Sequence, residues 1–68
     1  MIGDNIKFYR KKNQLTQDDI AEACNVTRQA VSKWENGKTQ PDIQTLSMLA
    51  STLEVSEEDL IYGLSDSE

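Results

Sequence analysis

Histidine is absent from the 68 residues, and cysteine and proline occur once each, at Cys24 and Pro41. Without histidine the chain lacks the commonest general base and the commonest metal ligand. Neither a Cys–His nucleophile nor a Ser–His–Asp relay can be assembled. A single cysteine forms no internal disulfide, and no Cys/His spacing of the metal-binding kind occurs. No metal or cofactor is therefore expected, and a reducing, cytoplasmic setting is. Glycine is confined to positions 3, 37 and 63, and neither G-x-x-x-x-G-K-[ST] nor G-x-G-x-x-G occurs to cradle phosphates. No apolar run approaches the roughly 20 residues that cross a bilayer, and no basic-then-apolar export pattern opens the chain. Carboxylate-only catalysis stays open, but so short a chain offers little room for a pocket. The expectation is a protein that binds, not an enzyme.

What is present is charge and helical periodicity. Charged residues make up 28% and hydrophobic ones 37%, the balance of a soluble globule and not of a disordered segment. So short a chain forms one domain near the lower limit of what a single core can stabilise. We expect that domain to span 1–64, followed by a short frayed acidic tail at 65–68. No alternating run is long enough for a strand. Three helix starts share one grammar. In "LTQDDI", Thr16 caps, Asp19 completes a capping box, and Leu15 and Ile20 form a hydrophobic staple. "VTRQAV" repeats the staple through Val26 and Val31 around Thr27, and "VSEEDL" through Val55 and Leu60 around Ser56, with Asp59 in the box. A fourth helix follows Asp42 with an apolar face of Ile43, Leu46, Leu49, Ala50 and Leu53. The first runs from about Gly3 to Lys12 and turns Ile6, Tyr9 and Ile2 inward. The fold expected is all-α, a compact bundle of five short helices.

Residues 17 to 36, "QDDIAEACNVTRQAVSKWEN", form a unit within it. Two helices separated by about three residues must cross closely and steeply, as in a helix-turn-helix. The crossing needs a small side chain, which Ala21 supplies. The turn needs a residue tolerant of positive φ, and Asn25 is the best substitute for glycine there. Ile20, Cys24, Val26, Val31 and Trp34 make the buried wedge. On the second helix, Arg28, Gln29, Ser32, Lys33 and Asn36 share an arc of roughly 140°, with Ala30, Val31 and Trp34 opposite. Arginine pairs with O6 and N7 of guanine and glutamine with N6 and N7 of adenine. Helix starts are where major-groove readers project such side chains.

The stretch "RKKNQLTQDDIAEACNVTRQAVSKWENGKTQPDIQTLSMLASTLEV", and above all "LTQ", "VTRQAVSKWENGK", "PDIQTL" and "LA", resembles the phage-repressor-type (Cro/XRE-like) helix-turn-helix family from Ile6 to about Leu60. The resemblance implies a lambda-repressor-like five-helix domain that binds a double-stranded DNA operator, commonly as a homodimer on a palindrome. It implies Gln17 against a phosphate and Arg28, Gln29 and Lys33 in the major groove. It places Asn36 and Lys38 on the backbone, and Arg10 in an ion pair with Glu35. The candidate DNA-contacting set is Gln17, Thr27, Arg28, Gln29, Ser32, Lys33, Asn36 and Lys38. The function expected is sequence-specific transcriptional regulation, as a repressor. The alternative is a protein-interaction module or antitoxin on the same fold, touching DNA secondarily and meeting its partner through the acidic C-terminal third. The family's usual glycine is replaced by Asn25, and the base-reading positions vary freely, so no operator sequence carries over.

A net charge of −5 is at first sight a poor match for a polyanion. The charge is segregated. Residues 1–41 carry seven basic and five acidic side chains, a balance of +2, and residues 42–68 seven acidic and none basic, a balance of −7. Beyond about 8–10 Å charges are largely screened at physiological salt, so the basic half can act locally. Several residues admit two roles. Trp34 stacks on a base or fills the core, the core being the expectation; Cys24 senses redox state or packs, and packing is expected. "RKK" at 10–12 is a phosphate clamp or a solvated face, and Phe8 is part-buried or serves a partner. Leu60 faces the core, while Ile61, Tyr62 and Leu64 offer a twofold dimer contact or pack back on their own domain.

Overall fold

A computed structural model of the chain describes residues 1–63; Leu64 and the acidic tail expected at 65–68 lie outside the described residues. Among the described residues five helices follow in order: α1 (Ile2–Lys12), α2 (Gln17–Cys24), α3 (Arg28–Glu35), α4 (Ile43–Leu53) and α5 (Glu57–Tyr62). The capping residues sit where the sequence places them. Thr16 Oγ1 accepts from the Asp19 amide at 3.0 Å and Asp19 returns the bond to the Thr16 N–H at 2.8 Å. Ser56 and Asp59 repeat the pair at 3.0 and 3.1 Å. Thr27 and Asp42 cap α3 and α4 by accepting from Ala30 and Thr45. Each cap satisfies an amide left without an intrahelical partner, worth about 1 kcal/mol. The Thr45 backbone amide holds the Asp42 carboxyl below its ordinary pKa.

The helices also stop alike. Gln14, Asn25, Gly37, Glu54 and Gly63 all take left-handed backbone, with φ between 58° and 76°. After the first four, the next residue's N–H returns to a carbonyl five positions back. Leu15 donates to Arg10 at 3.0 Å, Val26 to Ala21 at 2.9 Å, Lys38 to Lys33 at 2.9 Å and Val55 to Ala50 at 3.0 Å. This is the bond that closes a helix end on a left-handed residue. Asn25 was expected in that conformation; Gln14 and Glu54 were not, and both adopt it without the freedom of glycine.

Three of those returning residues, Leu15, Val26 and Val55, then lean on a single core of Ile6, Tyr9, Ile20, Ala21, Cys24, Val31, Trp34, Leu49, Ala50, Leu53 and Leu60. Burying each large apolar member contributes about 1.5–3 kcal/mol. Helix α1 packs against α3, α4 and α5, and α2 against α3 and α4. The crossing of α1 over the end of α3 is so close that a Cβ on Gly3 would collide with the carbonyl oxygen of Trp34. That accounts for a glycine inside a helix, a role the sequence reading did not assign. Asn5 on α1 and Asn13, which caps its end, donate to the carbonyls of Leu60 and Leu53, tying α1 to α5 and to the end of α4.

Two expectations are corrected. Ile43 is 84% exposed and no part of the core face. Burial deepens along α4 from Ile43 through half-buried Leu46 to Leu49, Ala50 and Leu53, so the helix leans away from the core at its start. The run at 10–12 is neither a uniform clamp nor a uniform solvated face: Arg10 is buried, while Lys11 and Lys12 stay exposed. Phe8 is 45% exposed, edge-on to Tyr9 with the Lys12 ammonium over its ring. No described helix is long and apolar enough to cross a membrane.

Candidate nucleic-acid interface

Helices α2 and α3 are joined by residues 25–27 alone, and the brevity of that turn sets both in one orientation. The turn works because Asn25 takes φ 58° and ψ 45° and Ala21, 6% exposed, lets the backbones approach. Val31, Trp34 and Glu35 are the buried residues of α3, which turns its opposite side outward. Trp34 is thereby core, as expected. Cys24 is buried too, and burial pushes its thiol pKa up. A thiol held protonated is a poor nucleophile, which agrees with packing over redox sensing.

On the outward side, Arg28, Gln29 and Lys33 are exposed, as are Thr27 just before them and Asn36 and Lys38 just after. These share one continuous surface. Ser32 is half-buried within the strip and its Oγ accepts from Asn36 Nδ2 at 3.4 Å. The strip therefore presents two amide-bearing side chains and three cations, Arg28, Lys33 and Lys38, at one helix and its C-terminal turn. Forked guanidinium and amide groups at a helix start suit base edges, and lysines one turn on suit phosphates or bases.

Gln17 behaves differently from the rest of the candidate set. Its side chain is half-buried and Nε2 donates to Glu35 Oε1 at 3.0 Å. Glu35 in turn receives Arg10 through two bonds, Nε to Oε2 at 2.6 Å and Nη2 to Oε1 at 3.1 Å, while Arg10 Nη1 donates to the Leu15 carbonyl at 2.9 Å. The Arg10–Glu35 pair implied by the family resemblance is thus present, buried and forked. The addition is that it also holds the first residue of α2. One carboxylate fastens α1, α2 and α3 behind the strip, leaving Gln17 its first-turn backbone N–H to offer an anion.

Asp18 and Asp19 both stand in the first turn of α2, where negative charge complements the helix dipole, and Asp19 also closes the capping box. Asp18 Oδ1 in addition lies 3.7 Å from Arg28 Nε, with both side chains well exposed. No spacing along either helix announces this approach, which is set by the angle at which α2 and α3 cross. Among the described residues no group of three or more His, Cys, Asp or Glu side chains could hold a metal ion. Ile61 and Tyr62 are exposed, at 42% and 67%. Ile61 borders an open groove of about 480 Å³ lined also by Met1, Ile2, Gln40, Pro41 and Leu46. Leu60 is fully buried, as expected, and Leu64 falls outside the described residues.

This chain resembles known proteins along most of its length. A helix-turn-helix family model matches residues 6–60. The uncharacterized HTH-type transcriptional regulator YqaE of Bacillus subtilis is 36% identical over 66 residues, covering 97% of this chain and 57% of YqaE. With a second relative covered to 58%, the chain spans a little over half the length of these curated relatives. Among solved structures, the biofilm master regulator SinR in complex with DNA superposes with a TM-score of 0.81 at 37% identity, covering 90% of this chain and 98% of that one. The P22 c2 repressor in complex with a synthetic operator gives a TM-score of 0.88 at 30% identity, covering 93% and 96%. Turn geometry, helix order and sequence agree: the chain belongs to the phage-repressor-type helix-turn-helix family.

Proposed function

We propose that this chain is a sequence-specific DNA-binding transcriptional regulator, a repressor that lays α3 in the major groove. The observation that carries the reading is the uncovered strip of Arg28, Gln29 and Lys33, backed by Trp34 inside the core. Arg28 and Gln29 read bases; Lys33, Asn36 and Lys38 contact base or backbone; Thr27 sets the start of the helix. Gln17 contributes its amide N–H to a phosphate, its side chain being committed to Glu35. That SinR and P22 c2 are known as complexes with DNA supports carrying the activity over. Repression is steric, a bound protein occluding a promoter, in the cytoplasm.

With three cations on the strip, each protomer makes few phosphate contacts and depends on dimerisation. Ile61 and Tyr62 beside the apolar groove are the surface proposed for a second copy. Light scattering reads the dimer, and an Ile61→Asp variant that leaves it intact would discard this surface. The affinity–salt slope is expected to be shallower than about −8 per dimer, at near −0.9 per neutralised phosphate.

Selection of bound duplexes from a random pool tests the whole reading. Arg28→Ala and Gln29→Ala should each cost about 1–3 kcal/mol and relax preference at one base pair per half-site. An unchanged consensus with both variants removes these residues from base reading. Absence of any selected consensus, with capture of a protein partner instead, would favour an interaction module.

A further inference from the structure

We infer that Asp18 is a specificity-determining residue of the DNA contact, acting through Arg28. The inference rests on the reading of α3 as the base-reading helix and assigns a role outside it, on α2. The carboxylate approaches the guanidinium from the Nε side, with Oδ1 at 3.7 Å. Arginine carries five N–H donors in a planar fork. A base with two acceptors in line, as guanine has in O6 and N7, takes two of them at one edge of that plane. A carboxylate at Nε biases the plane's direction and leaves the two terminal nitrogens for the base.

Charge makes the same residue selective. Asp18 stands on the exposed first turn of α2, and its side chain is more open than that of Arg28. When Arg28 enters the groove, the carboxylate comes within the screening length of the phosphates that flank it. That repulsion acts on every duplex. The alignment of Arg28 is repaid only where its fork finds two acceptors. One side chain thus lowers affinity for all sequences and returns part of it for the right one, a repulsive element discriminating alongside an attractive one. The exposed pair contributes little to folding, so its effect is expected in binding.

The test is a cycle of Asp18→Asn, Arg28→Ala and the double variant on the whole chain. Each is measured against a random-sequence duplex and against the selected duplex with every base pair varied in turn. Asp18→Asn should raise affinity for the random duplex about two- to fivefold. It should lower the preference at the one base pair that Arg28→Ala relaxes by about three- to tenfold and leave the other pairs alone. In the Arg28→Ala background it should change no base preference, because the residue it acts through is gone. Unfolding in urea separates a loss at the α2 start from a loss of discrimination, since destabilisation weakens all sequences together. If Arg28→Ala relaxes one position and Asp18→Asn leaves that position unaltered, or shifts all positions equally, the role of Asp18 is overturned alone. If Arg28→Ala itself changes no preference, Arg28 is removed from base reading and this inference fails with it, whereas the reading of α3 as a whole fails only if Gln29→Ala is silent too.

Discussion

The turns on either side of α3 are built on the same hydrogen bond and put to opposite uses. Before the helix, Asn25 goes left-handed and the Val26 N–H returns to Ala21; after it, Gly37 goes left-handed and the Lys38 N–H returns to Lys33, both at 2.9 Å. Val26 then packs against the core, whereas Lys38 is exposed beside Asn36 at the end of the strip. The backbone is satisfied in both places by conformation alone, which leaves the following side chain free. An apolar choice makes a rigid joint of residues 25–27. A cationic choice, in the longer connection 36–42, leaves a charge exposed at the end of the strip.

The comparison breaks most severely at the carboxylate that fastens α3 to α1 and to the start of α2. Glu35→Ala strands the buried Arg10 guanidinium and releases Gln17, and should cost about 3–5 kcal/mol of stability by urea unfolding. Exchanging the two roles comes next. Val26→Lys removes a staple from the core and should cost about 2–3 kcal/mol, and a midpoint unmoved by it would show that the first turn needs no apolar residue. Gly37→Ala puts a Cβ at φ 76°, close to the end of the Met1 side chain, for about 1–2 kcal/mol. Glu54→Gly works in the other direction: relief of left-handed strain outweighs the lost chain stiffness, and thermal unfolding should show a gain of about 0.5–1 kcal/mol. Smallest on folding is Lys38→Ala, within about 0.5 kcal/mol; its effect belongs to DNA, where the affinity–salt slope should fall by about 0.9 per protomer.

Much of this was legible in the residues because it is local. Caps, boxes and staples are written within six positions, and each of Thr16, Thr27, Asp42 and Ser56 caps as its neighbours dictate. Asn25 was legible because a three-residue turn leaves few conformations and few residues that tolerate them. Gln14 and Glu54 were not, since their backbone is imposed by the helix end and the apolar residue that follows, not by their own preference. Ile43 has the period of a core residue, but period says nothing about where a helix begins to lean away. Of the candidate site, the outward strip followed from periodicity and Arg10–Glu35 only from the family resemblance. Gln17 on Glu35, Asp18 beside Arg28 and Gly3 under Trp34 are set by the angle at which three helices meet, and no spacing along one helix contains that angle.

The four returning hydrogen bonds have a consequence for how such a chain can change length. Three of the connections are gauges: a bond that spans five residues and an apolar side chain that must drop inward measure the distance between one helix and the next. Adding or deleting a residue there leaves one of the two out of place. Past Lys38 no staple follows, and Gln40 and Pro41 reach α4 along the surface, so insertions are expected to gather at that point. A protein of this design can change its length at one seam while the frame that fixes the direction of α3 stays as it is.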